Sequence, residues 1–339
     1  MRLRICMPDS ILHARVGPAS FQRRLTFGLA KQGIEITYDL NDRPYDIVLI
    51  IGGTRKLSQL WRCKRKGIPI IQRLDGINWR HRIIQASLRW RIIPALRNFL
   101  LKTIRNHFAN CVIYQSKFVQ RWWHEWYGPA PCPENIIYNA VDLSSFYPDK
   151  AIHPCIKDKI LLCVEGNISP DDATKQIIIK THRHLYERNI IDRTLIYGNL
   201  MSQMAELLQN EKGIYLGGSV PPEDMPIIFR NASLYLSLDI NPSCPNTTIE
   251  ALASGVPVIG FDTGSLAELI LPGGGAVVPY RADPWKLEMP DISSLCESAQ
   301  RIMSSHKKFS RGARILAEKR YNIDWMVEEY VKVICQAVS

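Results

Sequence analysis

The sequence lacks the long apolar runs of a membrane protein. None of its 339 residues lies in a stretch that approaches the roughly 20 consecutive apolar residues needed to span a bilayer. A signal-peptide pattern is also missing, because Pro8 and Asp9 interrupt the short apolar stretch at residues 5–7. The composition, 46% hydrophobic and 22% charged, is typical of a folded globular protein. We therefore expect a cytoplasmic protein that contacts a membrane at most peripherally, on its inner face.

Cysteine patterns for disulfides or zinc are lacking as well. The nine cysteines are odd in number, scattered, and include no C-x-x-C pair. They are expected to be free buried thiols in a reducing compartment. His182 and His184 lie in an arginine-rich helical pattern, which favours a surface position over a metal site. No metal and no other cofactor is expected.

The glycine-rich fingerprint of dinucleotide enzymes is the third missing pattern. Gly52-Gly53 follows an apolar run, but no third glycine completes G-x-G-x-x-G, so nicotinamide chemistry is poorly supported. What the sequence has is a regular alternation of short apolar runs and helical patterns, which predicts parallel α/β architecture. Strands are predicted in the first half at 4–7, 35–38, 46–51, 69–72, 112–114 and 135–138, and in the second half at 159–164, 194–197, 213–216, 234–238, 257–261 and 276–278.

Two sets of about six strands predict two Rossmann-like domains that face each other across a cleft. We predict an N-terminal domain over residues 1–150, a second domain over 151–322, and a helix over 323–339 that packs back towards the first domain. Pro148 and Pro154, which lie among polar residues, place the linker near Phe146–Lys157.

A proline-flanked polar loop, N-P-S-C-P at residues 241–245, precedes a short helical pattern in the second half. Asn246 is the predicted N-cap and Gly255 ends the helix. The buried stripe is predicted to be Ile249, Leu252 and Ala253. A helix N-terminus of this kind can bind a diphosphate. Glu250, placed in the first turn, would accept the hydroxyls of a ribose, or else only complements the helix dipole.

Motifs along the chain resemble those of the retaining nucleotide-sugar glycosyltransferases of family four, which have the GT-B fold. E-A-L-A-S-G-V-P-V-I at 250–259 resembles the second half of the family's donor signature, which begins with a glutamate eight residues earlier. T-G-S-L-A-E at 263–268 resembles its G-G-x-x-E turn. Four further segments resemble family landmarks in the same order: 17–20, 138–148, 166–170 and 213–217.

The resemblance implies transfer of a sugar from a nucleotide-sugar donor to a glycan or lipid-linked acceptor, with retention, in the synthesis of a cell-surface polysaccharide or glycolipid. In that mechanism the departing phosphate oxygen takes the acceptor proton, and the protein positions the reactants and stabilises the leaving charge. The residues expected to bind the donor are Gly17, Asn167, Lys175, Gly217, Ser243, Asn246, Thr247, Thr248 and Glu250.

Three positions depart from the family pattern. The first glutamate falls at Pro242, the diphosphate-binding arginine at Asn167, and the usual lysine at Asp172. Two lost cations remove charge-assisted hydrogen bonds of about 1.5–3 kcal/mol each, which Lys175 can replace in part. The motif P-S-C-P-N-T at 242–247 resembles a variant branch of this family and favours a different mode of donor binding over an inactive site. A catalytically silent GT-B protein that binds a glycan or a partner transferase is the alternative, and a GT-B sugar-nucleotide epimerase fits less well.

Asp75 follows a predicted strand of the first half and is, with Glu250, the predicted catalytic residue. It could orient the acceptor hydroxyl, or act as general base in an inverting variant. The alternative is an Asp-Gly pair that only forms a turn. Gln115 and Ser116, after another strand, are weaker candidates for the same cleft.

The net charge of +11 is concentrated in one segment. Between Arg55 and His107, Asp75 is the only acid among fourteen lysines and arginines. Residues 96, 99, 100, 101 and 104 form an apolar arc, with Lys102 and Arg105 predicted opposite it. Such a segment can bind an anionic membrane. The residues predicted on this acceptor or membrane side are Arg80, Arg89, Arg91 and Lys102. Nucleic acid is not expected, because no RNA-binding or zinc-finger pattern accompanies the charge. A solvated basic face is the other alternative.

Overall fold

The computed structural model describes residues 3–9, 17–83, 88–148 and 158–338. The chain divides into two compact units: unit 1 is Met1–Asn139 with Ile323–Ser339, and unit 2 is Ala140–Asn322. The first segment of unit 1 ends at Asn139, whereas we placed the domain boundary at residue 150. Residues 149–157 of the predicted linker lie outside the described residues. Of the described helices, none is long and apolar enough to cross a membrane.

Unit 1 contains a six-stranded parallel sheet in the order β2-β1-β3-β4-β5-β6. Its strands are β1 (Arg4–Cys6), β2 (Glu35–Thr37), β3 (Ile47–Ile51), β4 (Ile70–Leu74), β5 (Cys111–Tyr114) and β6 (Glu134–Ile136). The flanking helices are α1 (Gly17–Lys31), α2 (Leu57–Arg65), α3 (Leu88–His107) and α4 (Lys117–Tyr127), with a 3-10 turn at Arg80–Arg82. The central strands are buried along almost their whole length, because helices cover both faces of a parallel sheet.

Unit 2 contains a second parallel sheet, in the order β12-β11-β10-β7-β8-β9. Its strands are β7 (Ile160–Asn167), β8 (Arg193–Asn199), β9 (Ile214–Gly218), β10 (Leu234–Leu236), β11 (Val258–Phe261) and β12 (Gly275–Val278). Its helices are α5 (Asp172–Glu187), α6 (Ser202–Gln209), α7 (Met225–Asn231), α8 (Asn246–Ala253), α9 (Leu266–Ile270), α10 (Ser293–Ser304) and α11 (His306–Arg320), with a 3-10 turn at Pro284–Lys286. The strand order reverses between β7 and β10, so the switch point of this sheet lies there.

The last helix, α12 (Ile323–Val338), returns to unit 1 and packs on α1. The Phe21 and Tyr330 rings lie 5.6 Å apart between centroids. Gly28 of α1 faces Val327 so closely that a Cβ at position 28 would overlap the valine side chain. The helix therefore completes the hydrophobic cover of the first sheet.

The twelve predicted strands all occur, each within a few residues of its predicted bounds. The eight cysteines among the described residues are free, and six of them are buried. The surface position predicted for His182 is wrong, because this side chain is only 1% exposed. Its Nδ1 lies 2.8 Å from Thr194 Oγ1 and its Nε2 lies 3.0 Å from the Lys212 carbonyl oxygen, so strand β8 and the turn before β9 enclose the ring.

Candidate functional site

Helix α8 begins at the carboxyl edge of the second sheet, directly after the loop that follows β10. Because β10 pairs with β7, this loop lies at the switch point, where ligands of open α/β sheets bind. Pro245, not Asn246, is the N-cap residue, so the predicted cap is wrong. Glu250 is accordingly one position beyond the first turn, which contains no acid. Because proline has no side-chain acceptor, Pro245 itself makes no side-chain cap hydrogen bond to the start of α8.

The loop at residues 241–245 is held by the turn after β11. The Ser265 N–H donates to the Pro242 carbonyl oxygen at 2.8 Å, and the Asn241 N–H donates to Thr263 Oγ1 at 3.3 Å. Gly264, at φ +59°, packs directly on the Asn241–Pro242 peptide. A Cβ at position 264 would lie 2.5 Å from the Asn241 carbonyl carbon, so only glycine fits there. The segment 263–268 thus fixes the loop before α8.

A buried tyrosine ties the start of α8 to the neighbouring strands. The Tyr235 hydroxyl oxygen lies within hydrogen-bonding distance of Thr247 Oγ1, at 2.9 Å, and of the Val164 carbonyl oxygen, at 3.2 Å. Burial raises the pKa of Tyr235 well above its usual value, and the nearby carboxylates of Glu165 and Glu250 add to that effect. Sequence reasoning missed Tyr235 and Glu165, although both belong to predicted strands or their ends.

The predicted residues of α8 occupy different environments. Glu250 is 5% exposed and Thr248 is fully buried, whereas Ser243, Asn246 and Thr247 are half-buried at the loop and the first turn. The predicted stripe is buried, but so is every other residue from Thr248 to Ala253. The helix is therefore an internal element of unit 2 rather than an amphipathic surface helix.

The other predicted donor residues lie on neighbouring elements of unit 2. Asn167 is exposed at the end of β7 and accepts a hydrogen bond from Asn199 Nδ2 at 3.2 Å. Lys175 forms an ion pair with Asp172 in the first turn of α5. Gly217 lies on the edge strand β9, two strands beyond β7, where a Cβ would overlap the Tyr197 ring. The described contacts join none of these three residues to α8.

Unit 1 has a buried polar cluster at the carboxyl ends of β4, β5 and β6. Arg73, which is 1% exposed, donates to Asp75 Oδ1 at 2.9 Å, to Gln115 Oε1 at 2.6 Å and to Asn139 Oδ1 at 2.8 Å. Its guanidinium also lies 3.7 Å from the centroid of the Phe21 ring. Asp75 is thus held by a fixed cation. Arg73 and Asn139 are members of this site that sequence reasoning missed.

The remaining predicted residues of unit 1 are spread over three elements. Gly17 is exposed at the first position of α1, and Arg80 lies in the 3-10 turn. Arg89 and Arg91 are exposed near the start of α3, and Lys102 Nζ lies 5.1 Å from the centroid of the Tyr127 ring.

The apolar arc predicted for α3 is wrong in part. Ile104 is buried, whereas Leu96 and Phe99 are 61% and 67% exposed. Arg105, predicted to be opposite the arc, is fully buried and donates to Tyr114 Oη at 3.0 Å, because α3 packs this face on β5.

Comparison with known proteins agrees with this architecture. Residues 158–293 match the family described as glycosyl transferases group 1. Curated protein sequences gave no match. Solved structures are similar over nearly the whole chain. Sucrose-phosphate synthase from Thermosynechococcus elongatus is 15% identical, with a TM-score of 0.75 and coverage of 99% of both chains. Alr3699/HepE from Anabaena, in complex with UDP, is 13% identical, with a TM-score of 0.68 and coverage of 99% of this chain and 100% of that chain.

AviGT4, a glycosyltransferase involved in avilamycin A biosynthesis, is 16% identical, with a TM-score of 0.63 and coverage of 99% of this chain and 98% of that chain. The fold is therefore that of GT-B proteins, with two Rossmann-like units, as predicted. The matched segment identifies a glycosyl transferases group 1 domain in unit 2, and the prediction of a glycosyltransferase is confirmed at that level.

Proposed function

We propose that the chain is a retaining glycosyltransferase of family four that takes a sugar from a nucleotide-sugar donor bound by unit 2. The acceptor would be a glycan or a lipid-linked sugar bound by unit 1, in the synthesis of a surface polysaccharide or glycolipid. The observation that carries the proposal is the position of α8, whose N-terminus lies at the switch point of the second sheet.

In this proposal the N-terminus of α8 binds the diphosphate of the nucleotide-sugar donor. The N-cap residue of α8 is a proline, which adds no side-chain cap, and the positive end of the helix dipole favours a diphosphate. The hydroxyls of Thr247 and Thr248, in the first turn, would add side-chain donors. The loop is already rigid, since Gly264 and Ser265 hold it in place, so little ordering is needed when a nucleotide binds.

Lys175 is the cation we assign to the leaving diphosphate. It is paired with Asp172, whose side chain is 80% exposed. Exposed ion pairs are worth only about 0–1 kcal/mol, whereas a charge-assisted bond to a phosphate is worth about 1.5–3 kcal/mol. Exchange of the carboxylate for a phosphate is therefore favourable for this lysine. Asn167 would contribute a neutral amide where the family has arginine.

Glu250 would hold the ribose and Asp75 would orient the acceptor hydroxyl. Both carboxylates are kept in place by their surroundings: Glu250 is 5% exposed, and Asp75 is paired with the buried Arg73. Catalysis would then consist of positioning and of electrostatic stabilisation of the departing phosphate, which takes up the acceptor proton. HepE has been solved with UDP and with UDP-glucose, which supports a uridine nucleotide as the first donor to test.

The alternative of a silent GT-B protein is not favoured, since the group 1 match lies within the unit that would bind the donor. The test is thermal unfolding with UDP, GDP and ADP. A ligand at 100 times its Kd adds about 2.7 kcal/mol to the free energy of unfolding. We expect one nucleotide to stabilise the protein, and Glu250→Gln to remove most of that shift.

Glu318→Gln, at an exposed position on α11, is the matched control and should respond to nucleotide as the native chain does. Absence of any shift with all three nucleotides would refute donor binding. An unchanged shift in Glu250→Gln would refute the ribose role. Once a donor is identified, the anomeric configuration of the product distinguishes retention from inversion.

A further inference from the structure

Four large apolar side chains form an exposed stripe along α3. Leu88, Ile92, Leu96 and Phe99 are 72%, 46%, 61% and 67% exposed. At about 100° per residue these positions fall within roughly 80° of the helix circumference, so they make one continuous face. Leu101, about 180° from the centre of this stripe, packs towards Gly53 of the core. The stripe is thus the side of α3 that faces away from unit 1.

Cations flank the stripe and acids are missing from the whole segment. Arg89 and Arg91 lie to either side of it, whereas Arg97, although exposed, lies about 140° from its centre, towards the side of Leu101. The sequence from Gly76 to His107 contains no aspartate or glutamate. An exposed apolar stripe whose charged neighbours on the helix are all cations matches the surface of an anionic bilayer, which offers an apolar interior beneath negative headgroups.

A cavity beside α3 extends this surface. It has a volume of about 300 Å³ and is lined by Ile77, Asn78, Trp79, Arg80, His81 and Pro94. Asn98 on the buried side of α3 fixes its wall, since Asn98 Nδ2 donates to the Asn78 carbonyl oxygen at 2.7 Å and Asn78 Nδ2 donates to Asn98 Oδ1 at 2.9 Å. The cavity therefore keeps its position relative to the stripe.

A buried polar atom in the cavity points to an anionic ligand. His81 is 8% exposed, and its Nδ1 has no hydrogen-bond partner among the residues that the structure describes. Burial lowers the pKa of His81, and the nearby charges of Arg82 and Arg91 lower it further. A phosphate would supply both the missing partner for Nδ1 and the missing counter-charge for these arginines.

We propose that the exposed stripe of α3, its flanking arginines and the adjacent cavity form a docking surface for an anionic phospholipid bilayer. The apolar side chains enter the headgroup region, the arginines contact the surface, and the cavity receives one lipid phosphate. The proposal goes beyond the proposed function, since bilayer binding requires neither donor nor acceptor.

The experiment is sedimentation of the full chain with vesicles of phosphatidylcholine alone and of phosphatidylcholine with one third phosphatidylglycerol. We expect binding to the mixed vesicles and little binding to the neutral ones. Removal of the stripe with Leu96→Ser and Phe99→Ser should weaken binding at least tenfold, because two apolar side chains no longer enter the bilayer. The matched control, Phe27→Ser with Ile227→Ser, changes two side chains that are 61% and 55% exposed elsewhere and should bind as the native chain does.

A second variant tests the charges. Each arginine near an anionic surface contributes roughly a fivefold gain in affinity, so Arg89→Ser with Arg91→Ser should weaken binding about 25-fold. The control removes three exposed lysines of α11 at positions 307, 308 and 319 and should leave vesicle binding within about fivefold of the native value.

Four outcomes would overturn the proposal: equal binding to both kinds of vesicle, no binding to either, native binding by the stripe variant, or a dimer in solution that the stripe variant abolishes. The last outcome would assign the stripe to a second copy of the chain. Thermal unfolding with nucleotide, repeated on the same variants, keeps this result separate from the donor site, since a failure of vesicle binding leaves the nucleotide shift unchanged.

Discussion

Replacement of Gly264 by alanine is the sharpest test of the loop before α8. The residue has φ +59°, a conformation that costs an L-residue roughly 1–2 kcal/mol. Alanine also restricts the unfolded chain, which returns about 0.4–1 kcal/mol. These two effects alone predict a net loss of about 0–1.6 kcal/mol.

The contact adds a larger cost. The new methyl would lie 2.5 Å from both the Asn241 carbonyl carbon and Pro242 Cδ, and these are atoms that only a backbone shift can move. Overpacking of this kind costs about 1–3 kcal/mol. We therefore expect Gly264→Ala to lose about 1–5 kcal/mol in the free energy of unfolding. Its nucleotide affinity should also fall, because the displaced loop carries the start of α8.

Gly67→Ala is the matched control. Gly67 also has a positive φ, +73°, but no atom lies within 4 Å of its Cβ position. It therefore reports the backbone cost without the contact. Chemical denaturation gives the stability of both variants, and titration calorimetry gives their nucleotide affinity. If Gly264→Ala matches Gly67→Ala in stability and the native chain in affinity, the turn after β11 does not hold the donor loop.

Two further predictions concern buried groups outside the site. Glu134→Ala should lower the free energy of unfolding by about 3 kcal/mol, because the fully buried Arg105 loses the carboxylate that lies 3.6 Å from it. Chemical denaturation measures this loss of stability. Burial lowers the pKa of His182, so the folded state favours the neutral ring. The contribution of His182 to stability is therefore fully present above its unfolded-state pKa of about 6.5, and it is lost as pH falls below that pKa, by up to about 1.4 kcal/mol per pH unit. Thermal unfolding from pH 7.5 to 5.5 measures this loss.

Each of these two predictions has a control variant and a result that would contradict it. Glu125→Ala, at an exposed position on α4, should change stability by no more than about 0.5 kcal/mol, and an equal effect of Glu134→Ala would show that the buried carboxylate contributes little. His182→Gln should flatten the pH dependence between 7.5 and 5.5. A slope that survives this substitution belongs to other groups, of which His184, with its pKa lowered by burial and by Arg188, is the first to test.

The strands were predictable because each is a short apolar run, and a buried parallel strand needs little else. Polar side chains were harder to place, because their partners are distant in sequence. Arg73 contacts Gln115 and Asn139, which follow it by 42 and 66 positions, and no local pattern reveals that cluster. Helical periodicity predicted that Arg105 is exposed to solvent. It is instead buried, where it donates a hydrogen bond to Tyr114 Oη and forms an ion pair with Glu134.

The start of α8 shows a different limit. Helix propensities favour asparagine as an N-cap, which made Asn246 the natural choice. Pro245 takes the position instead, with φ −66° and ψ 125°, values that proline adopts without strain. The apolar arc predicted on α3 was right only in part, because the sequence does not show which of its members face the sheet. Only the fold shows that Leu96 and Phe99 face outward while Ile104 faces inward.

The return of α12 to unit 1 has a consequence for synthesis. A ribosome releases unit 2 as an unbroken segment, so its sheet and helices can assemble while the chain is still growing. The first sheet is translated before unit 2, but the α1 surface around Phe21 and Gly28 stays uncovered until the sixteen-residue helix α12 emerges. Unit 1 begins before unit 2 in this sequence but is completed after it.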